Sequence, residues 1–92
     1  MTYLPPEIAA PRLRAVVAGA DALGITQQRL AHHTGVAQAA WSRARNAPET
    51  SRSARREDML GDDALETLAG LFDAEGGEAH GDALMALAGR EK

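Results

Sequence analysis

The 92-residue chain contains no cysteine. That excludes a disulfide framework and any thiolate-held metal. It also lacks a long apolar run, and a bilayer-spanning helix needs about 20 such residues. Aromatic residues number only three, one each of Trp, Tyr and Phe. β-branched residues are few and none falls in a sustained alternating pattern, so strands are not expected. No glycine-rich loop ends in Lys-Ser or Lys-Thr, and no serine elbow is present, so no enzyme is expected. Gly76-Gly77 reads as a loop breaker rather than a phosphate cradle. His32 and His33 are neighbours that point to different sides of a helix, and His80 is remote, so neither a metal site nor a cofactor is expected. The opening Met1-Thr2-Tyr3-Leu4-Pro5-Pro6-Glu7 has no basic segment followed by an apolar one, which points to a cytoplasmic protein and away from the membrane.

Lysine is nearly missing too, with nine Arg to a single Lys. Net charge is −3, but the average conceals a split. Residues 1–56 hold eight arginines and three acids, net +5. Residues 57–92 hold ten acids and two bases, net −8. A basic half can attract phosphate while an acidic half is repelled by it, which would orient the molecule on approach to a nucleic acid. The length suits one domain, 1–92. A chain this small buries only about 60–65% of its unfolded surface, so association with a second copy would be a natural supplement.

Helical spacing recurs throughout. Pro5-Pro6 reads as an extended lead-in, and Pro11 suits the first turn of a helix. Leu13, Val16, Val17, Ala20 and Leu23 then make one apolar stripe, closed by Gly24 as C-terminal cap. Thr26 is a good N-cap for a second helix, with Leu30 and Ala31 facing inward and Gly35 stopping it. A third helix runs from about Ala37 to Asn46, and Pro48 disfavours continuation past Ala47. Thr50 to Arg56 reads either as a loop or as part of a short helix ending at Gly61, with Met59 and Leu60 packing inward. Asp63 and Glu66 have the spacing of a capping box. Leu65, Leu68, Ala69 and Phe72 line one face of the helix that follows. After the Glu75–Glu78 break, a last helix from about Gly81 to Ala88 presents Leu84, Leu87 and Ala88 on one side.

The segment from Thr26 to Arg43 carries the function. Two short helices that cross steeply need small residues where they meet, and Ala31 supplies one. Gly35 permits a turn that a side chain would oppose. Val36 and Trp41 can plug the space beneath. Thr26-Gln27, Leu30-Ala31, Gly35-Val36, the apolar position at Trp41 and Ser42-Arg43 together resemble the lambda-repressor-like (Cro/CI, XRE) helix-turn-helix family of small phage and bacterial regulators. The resemblance is strongest over about Leu13–Asn46 and extends loosely through Leu65-Glu66-Thr67-Leu68-Ala69. It implies an all-α, compact five-helix DNA-binding domain with its helix-turn-helix at about 26–46. The sequence departs from the family at Ala37, where a Ser or Thr N-cap is usual, at the bulk of Trp41, and in the long connection from Asn46 to Asp63.

With about 100° per residue and Trp41 set inward, Ala37 and Ala44 fall within about 60° of it and belong to the core. Ala39, Ser42, Arg43 and Asn46 lie on the far side, flanked by Gln38. Gln pairs with adenine and Arg with guanine in the major groove, and Ala39 leaves room for close approach to a thymine methyl. By resemblance, Gln27 bonds a phosphate at the start of the second helix, with Gln28 beside it. Arg45, Arg52, Arg55 and Arg56 are candidates for backbone contacts, which add affinity without sequence information. Arg12 and Arg14 read as surface charges. The expected function is a repressor binding an inverted repeat of double-stranded DNA as a homodimer, with residues 63–90 providing the dimer surface through Phe72, Leu84 and Leu87. The alternative is a protein-binding module, such as an antitoxin or inhibitor, that grips a basic partner through its acidic half.

Overall fold

The computed structural model describes residues 3–46 and 52–90. Among them it contains helices α1 (Pro6–Leu23), α2 (Gln27–Thr34), α3 (Gln38–Asn46), a 3-10 turn (Arg52–Arg55), α4 (Glu57–Leu60), α5 (Asp62–Ala74) and α6 (Glu78–Leu87). The described residues form no strand, only an isolated antiparallel bridge between Tyr3 and Arg56. The all-α expectation holds. Between Arg52 and Leu60 the chain takes up helical turns, with Met59 and Leu60 fully buried. Thr50 and Ser51, which the sequence leaves between loop and helix, lie outside the described residues, as does Pro48. No helix among the described residues is long and apolar enough to cross a membrane.

Helix α1 begins at Pro6, five residues before Pro11. Pro6 occupies the first turn, where a missing N–H removes nothing, and the Pro5 carbonyl accepts from the N–H groups of Ile8 and Ala9 at 3.0 and 2.9 Å. Pro11 therefore sits inside the helix. It forfeits only the bond to the carbonyl of Glu7, an exposed residue that water can serve. The other end is as the sequence places it: Gly24 adopts φ 69°, and its N–H reaches the Ala20 and Asp21 carbonyls. Helix α2 opens on Thr26, whose hydroxyl accepts from the Arg29 N–H at 3.2 Å.

Helix α5 starts at Asp62, and the Asp63–Glu66 capping box does not form. Gly61 is the N-cap, with no side-chain bond. A Cβ at Gly61 would lie 2.5 Å from the Glu57 carbonyl oxygen, so the corner between α4 and α5 accepts only glycine. Asp62 and Asp63 still place their charge in the first turn, where the helix dipole favours it. Helix α6 starts at Glu78, ahead of the expected Gly81.

One contiguous core joins these elements. Leu13, Val16 and Ala20 of α1, Leu30, Val36, Trp41 and Ala44 from α2 to α3, and Leu65, Leu68, Phe72 and Leu84 of α5 and α6 all belong to it. Phe72 and Leu84 have no exposed surface, so they cannot line a dimer face as the sequence suggests. The apolar stripes of α5 and α6 are spent on each other and on α1. Of the three residues assigned to that face, only Leu87 remains exposed.

The packing of α1 on α5 depends on Gly19, where an added Cβ would stand 2.5 Å from Phe72 Cε2. The ring is fully buried and cannot swing away. Gly19→Ala is therefore expected to destabilise by about 1–3 kcal/mol, the usual range for overpacking, despite alanine's better helix propensity. Gly70→Ala, at an exposed position of α5 with nothing within 4 Å, should instead stabilise by roughly 0.5–1 kcal/mol. Urea midpoints of the two variants, moving in opposite directions from the parent, check both expectations.

Candidate nucleic-acid interface

Helices α2 and α3 are joined by Gly35-Val36-Ala37. Gly35 takes φ 72°, and its N–H closes on the Ala31 carbonyl. Val36 and Trp41 are buried beneath the corner, as the spacing requires. Ala37 is not in the core: it is exposed. It precedes the first helical residue, and its carbonyl accepts from the N–H groups of Ala40 and Trp41 at 3.0 and 3.4 Å. A residue in that N-cap role need not have helical dihedrals, so the angular projection from Trp41 fails there. Ala40 and Ala44 do lie inside.

The opposite face of α3 is open. Gln38, Ala39, Arg43 and Asn46 are exposed and Ser42 is half-buried, so the polar groups read from the sequence share one outward surface. Asn46 Nδ2 lies 3.5 Å from Ser42 Oγ, a long bond that leaves both groups largely available. Gln27 and Gln28 occupy the first turn of α2, half-buried and exposed respectively.

The other arginines divide differently. Arg45 is turned toward α1, where its guanidinium nitrogen donates to both carboxylate oxygens of Asp21 at 2.7 and 2.9 Å. It does not join the Gln38–Arg43 face. Arg52 lies over the Tyr3 ring at 4.8 Å. Arg55 donates to the Leu4 carbonyl, and Arg56 pairs with Asp58, holding that carboxyl below its ordinary range. Arg29 pairs with Glu75 and lowers its pKa through the hydrogen bond and the charge. Arg12 is not a surface charge. It is buried, donating to the carbonyls of Leu60 and Leu87 at 2.9 and 3.0 Å and pairing with Asp62 at 2.9 Å. Arg14 is exposed.

Thr34 plays a part that sequence reasoning missed. Its hydroxyl accepts from the Trp41 indole Nε1–H at 3.2 Å, donates to the Leu30 carbonyl at 2.8 Å and receives the Val36 N–H at 3.4 Å. The available signal was the indole itself, because a buried N–H needs an acceptor.

His32 and His33 are exposed, their rings edge-on with centroids 5.6 Å apart. Among the described residues no group of three or more His, Asp or Glu is placed to hold a metal ion. Elsewhere an open cleft of about 1000 Å³ runs past Leu4, Ile8, Glu57, Asp62, Asp63 and Thr67. Its Asp62 and Asp63 are paired with Arg12 and Arg90. Both arginines line the cleft too, and with their charge met by these carboxylates they are poorly placed to hold a phosphate backbone. The chain matches no family model, no curated protein and no solved structure.

Proposed function

We propose that this chain is a sequence-specific double-stranded-DNA-binding transcriptional regulator, a repressor acting on an inverted-repeat operator as a homodimer. The observation that carries the reading is the two-sidedness of α3, with Ala40, Trp41 and Ala44 buried and Gln38, Ala39, Arg43 and Asn46 outward on a short helix held by a tight turn. That is what a helix entering the major groove needs, and it agrees with the resemblance to the lambda-repressor-like helix-turn-helix family. In this reading Gln38, Ser42 and Arg43 meet base edges, and Gln27 anchors a phosphate.

Size supports two copies. The longest extent of the chain is 31 Å, while half-sites on one face of the duplex recur at about 34 Å. One copy presenting one nine-residue α3 therefore covers one half-site. Among the described residues, Ile8 and Leu87 are the large apolar side chains that remain exposed for contact between copies.

The test is selection of duplexes from a random pool, followed by mobility shift at several salt concentrations. The enriched sequence should be an inverted repeat, and halving it to a single half-site should weaken binding by at least about tenfold. Affinity should also fall steeply between 50 and 200 mM salt through counterion release. A pool that shows no enrichment, together with a protein that co-purifies with a basic partner, would favour the protein-binding alternative.

A further inference from the structure

We infer that Thr34 is a positioning residue whose hydroxyl sets the rotation of α3 about its own axis by holding the Trp41 indole. A threonine hydroxyl has one proton to donate and two lone pairs to accept with. All three are used here: the donor on the Leu30 carbonyl of α2, the acceptors on the Val36 N–H of the turn and the Trp41 Nε1–H of α3. One atom thus ties the last turn of α2, the corner and the inward side chain of α3. Trp41 is 2% exposed, so its N–H has no ready exchange of this acceptor for bulk water. The other side chains that α3 buries, Ala40 and Ala44, are small and fix its rotation less firmly than the indole does.

The consequence for recognition rests on the DNA-binding reading. Side-chain ends on a helix lie about 5–6 Å from its axis, so a rotation of about 20° moves them by roughly 2 Å. Hydrogen bonds to base edges tolerate far less than that. The Thr34 hydroxyl therefore governs which of Gln38, Ser42 and Arg43 can reach a base, although it touches no DNA itself.

Thr34→Val is nearly isosteric and removes all three bonds, whereas Thr34→Ser keeps them. Trp41 is the only tryptophan, so its fluorescence and its indole N–H resonance report on this one site. In Thr34→Val the indole resonance should shift upfield and exchange faster with solvent, and amide shifts should cluster over Gln38–Asn46. Thr34→Ser should retain the parent signals. Affinity for the duplex enriched on the parent protein should drop about tenfold in Thr34→Val, the loss of roughly one base contact, with binding to an unselected duplex of equal length changing less than about twofold. A Thr34→Val protein with parent-like indole and α3 signals would overturn the proposal. Should that variant not fold, an indole proton in the parent that exchanges as fast as in free tryptophan would overturn it equally. If α3 reorients but the parent protein selects no duplex, the positioning role stands and the DNA reading fails.

Discussion

Arg12→Ala should lower stability by about 3 kcal/mol, which for a chain of this size corresponds to a fall in Tm of roughly 12–24 °C. The side chain is 11% exposed and ends on three acceptors contributed by separate elements. Its NH1 reaches the Leu60 carbonyl, the last of α4, and its NH2 the Leu87 carbonyl, the last of α6. Those carbonyls belong to the set that a helix cannot satisfy internally, and a cation near a helix C-terminus also meets the negative end of the dipole. Truncation leaves two carbonyls without a donor, each charge-assisted bond worth about 1.5–3 kcal/mol. The Asp62 partner adds less, because its side chain is half exposed and can return to water. A domain of this length has only about 5–14 kcal/mol in total, so the variant should stand near its folding threshold. Arg12→Lys should recover part of the loss, since an ammonium can serve one carbonyl but not span both. Thermal and urea unfolding followed by circular dichroism check this, and a change below about 0.5 kcal/mol for Arg12→Ala would mean that the arginine does not hold α4 and α6 together.

Arg12 also marks where the sequence stops being legible. Local periodicity is written in neighbours three and four apart, and so the stripe of Leu13, Val16 and Ala20, the Thr26 cap and the glycine stops at Gly24 and Gly35 are all readable. The Leu60 and Leu87 carbonyls lie 48 and 75 positions from Arg12. No local pattern announces that an arginine has such partners, and burial of an unpaired charge is otherwise prohibitive, so a surface position is the natural reading. The same holds for Arg45 and Asp21, 24 positions apart, whose pairing removes one cation from the face the sequence grouped together. Phe72 and Leu84 show the complementary limit. Periodicity identifies an apolar face but not its occupant, and the two helices turned out to cover each other. At α1 the prolines misled because Pro5-Pro6 and Pro11 each fit a helix start, and the earlier one won, lengthening the helix by five residues of which Ala9 is buried. On the candidate interface the outward set of Gln38, Ala39, Arg43 and Asn46 was readable from Trp41 alone, since one bulky apolar residue fixes the phase of a helix. Thr34 was not, because its role comes from tertiary contact across the turn.

Arg43→Ala carries the largest expected functional effect. Arg43 is exposed, two residues past Trp41, and therefore about 200° around α3 from the buried indole. The position is exposed and alanine is a good helix former, so helicity should stay close to that of the parent, and circular dichroism of the variant checks this. Binding should not survive in the same way. A bidentate arginine–guanine contact is worth about 1–3 kcal/mol of discrimination, so at the concentration where the parent protein fully retards its selected duplex, the variant should give no shifted band. The salt dependence separates two modes of contact. A base-reading Arg43 lowers affinity for the selected duplex while unselected DNA is bound nearly as before. A phosphate-bound Arg43 weakens both alike and reduces the salt slope by about one. Arg45→Ala is the comparison on the same helix, because that guanidinium reaches back to Asp21 of α1, away from the Gln38–Arg43 face, and should contribute less to binding. Parent-like affinity in Arg43→Ala, in a protein whose helicity is unchanged, would mean that the outward face of α3 does not enter the groove.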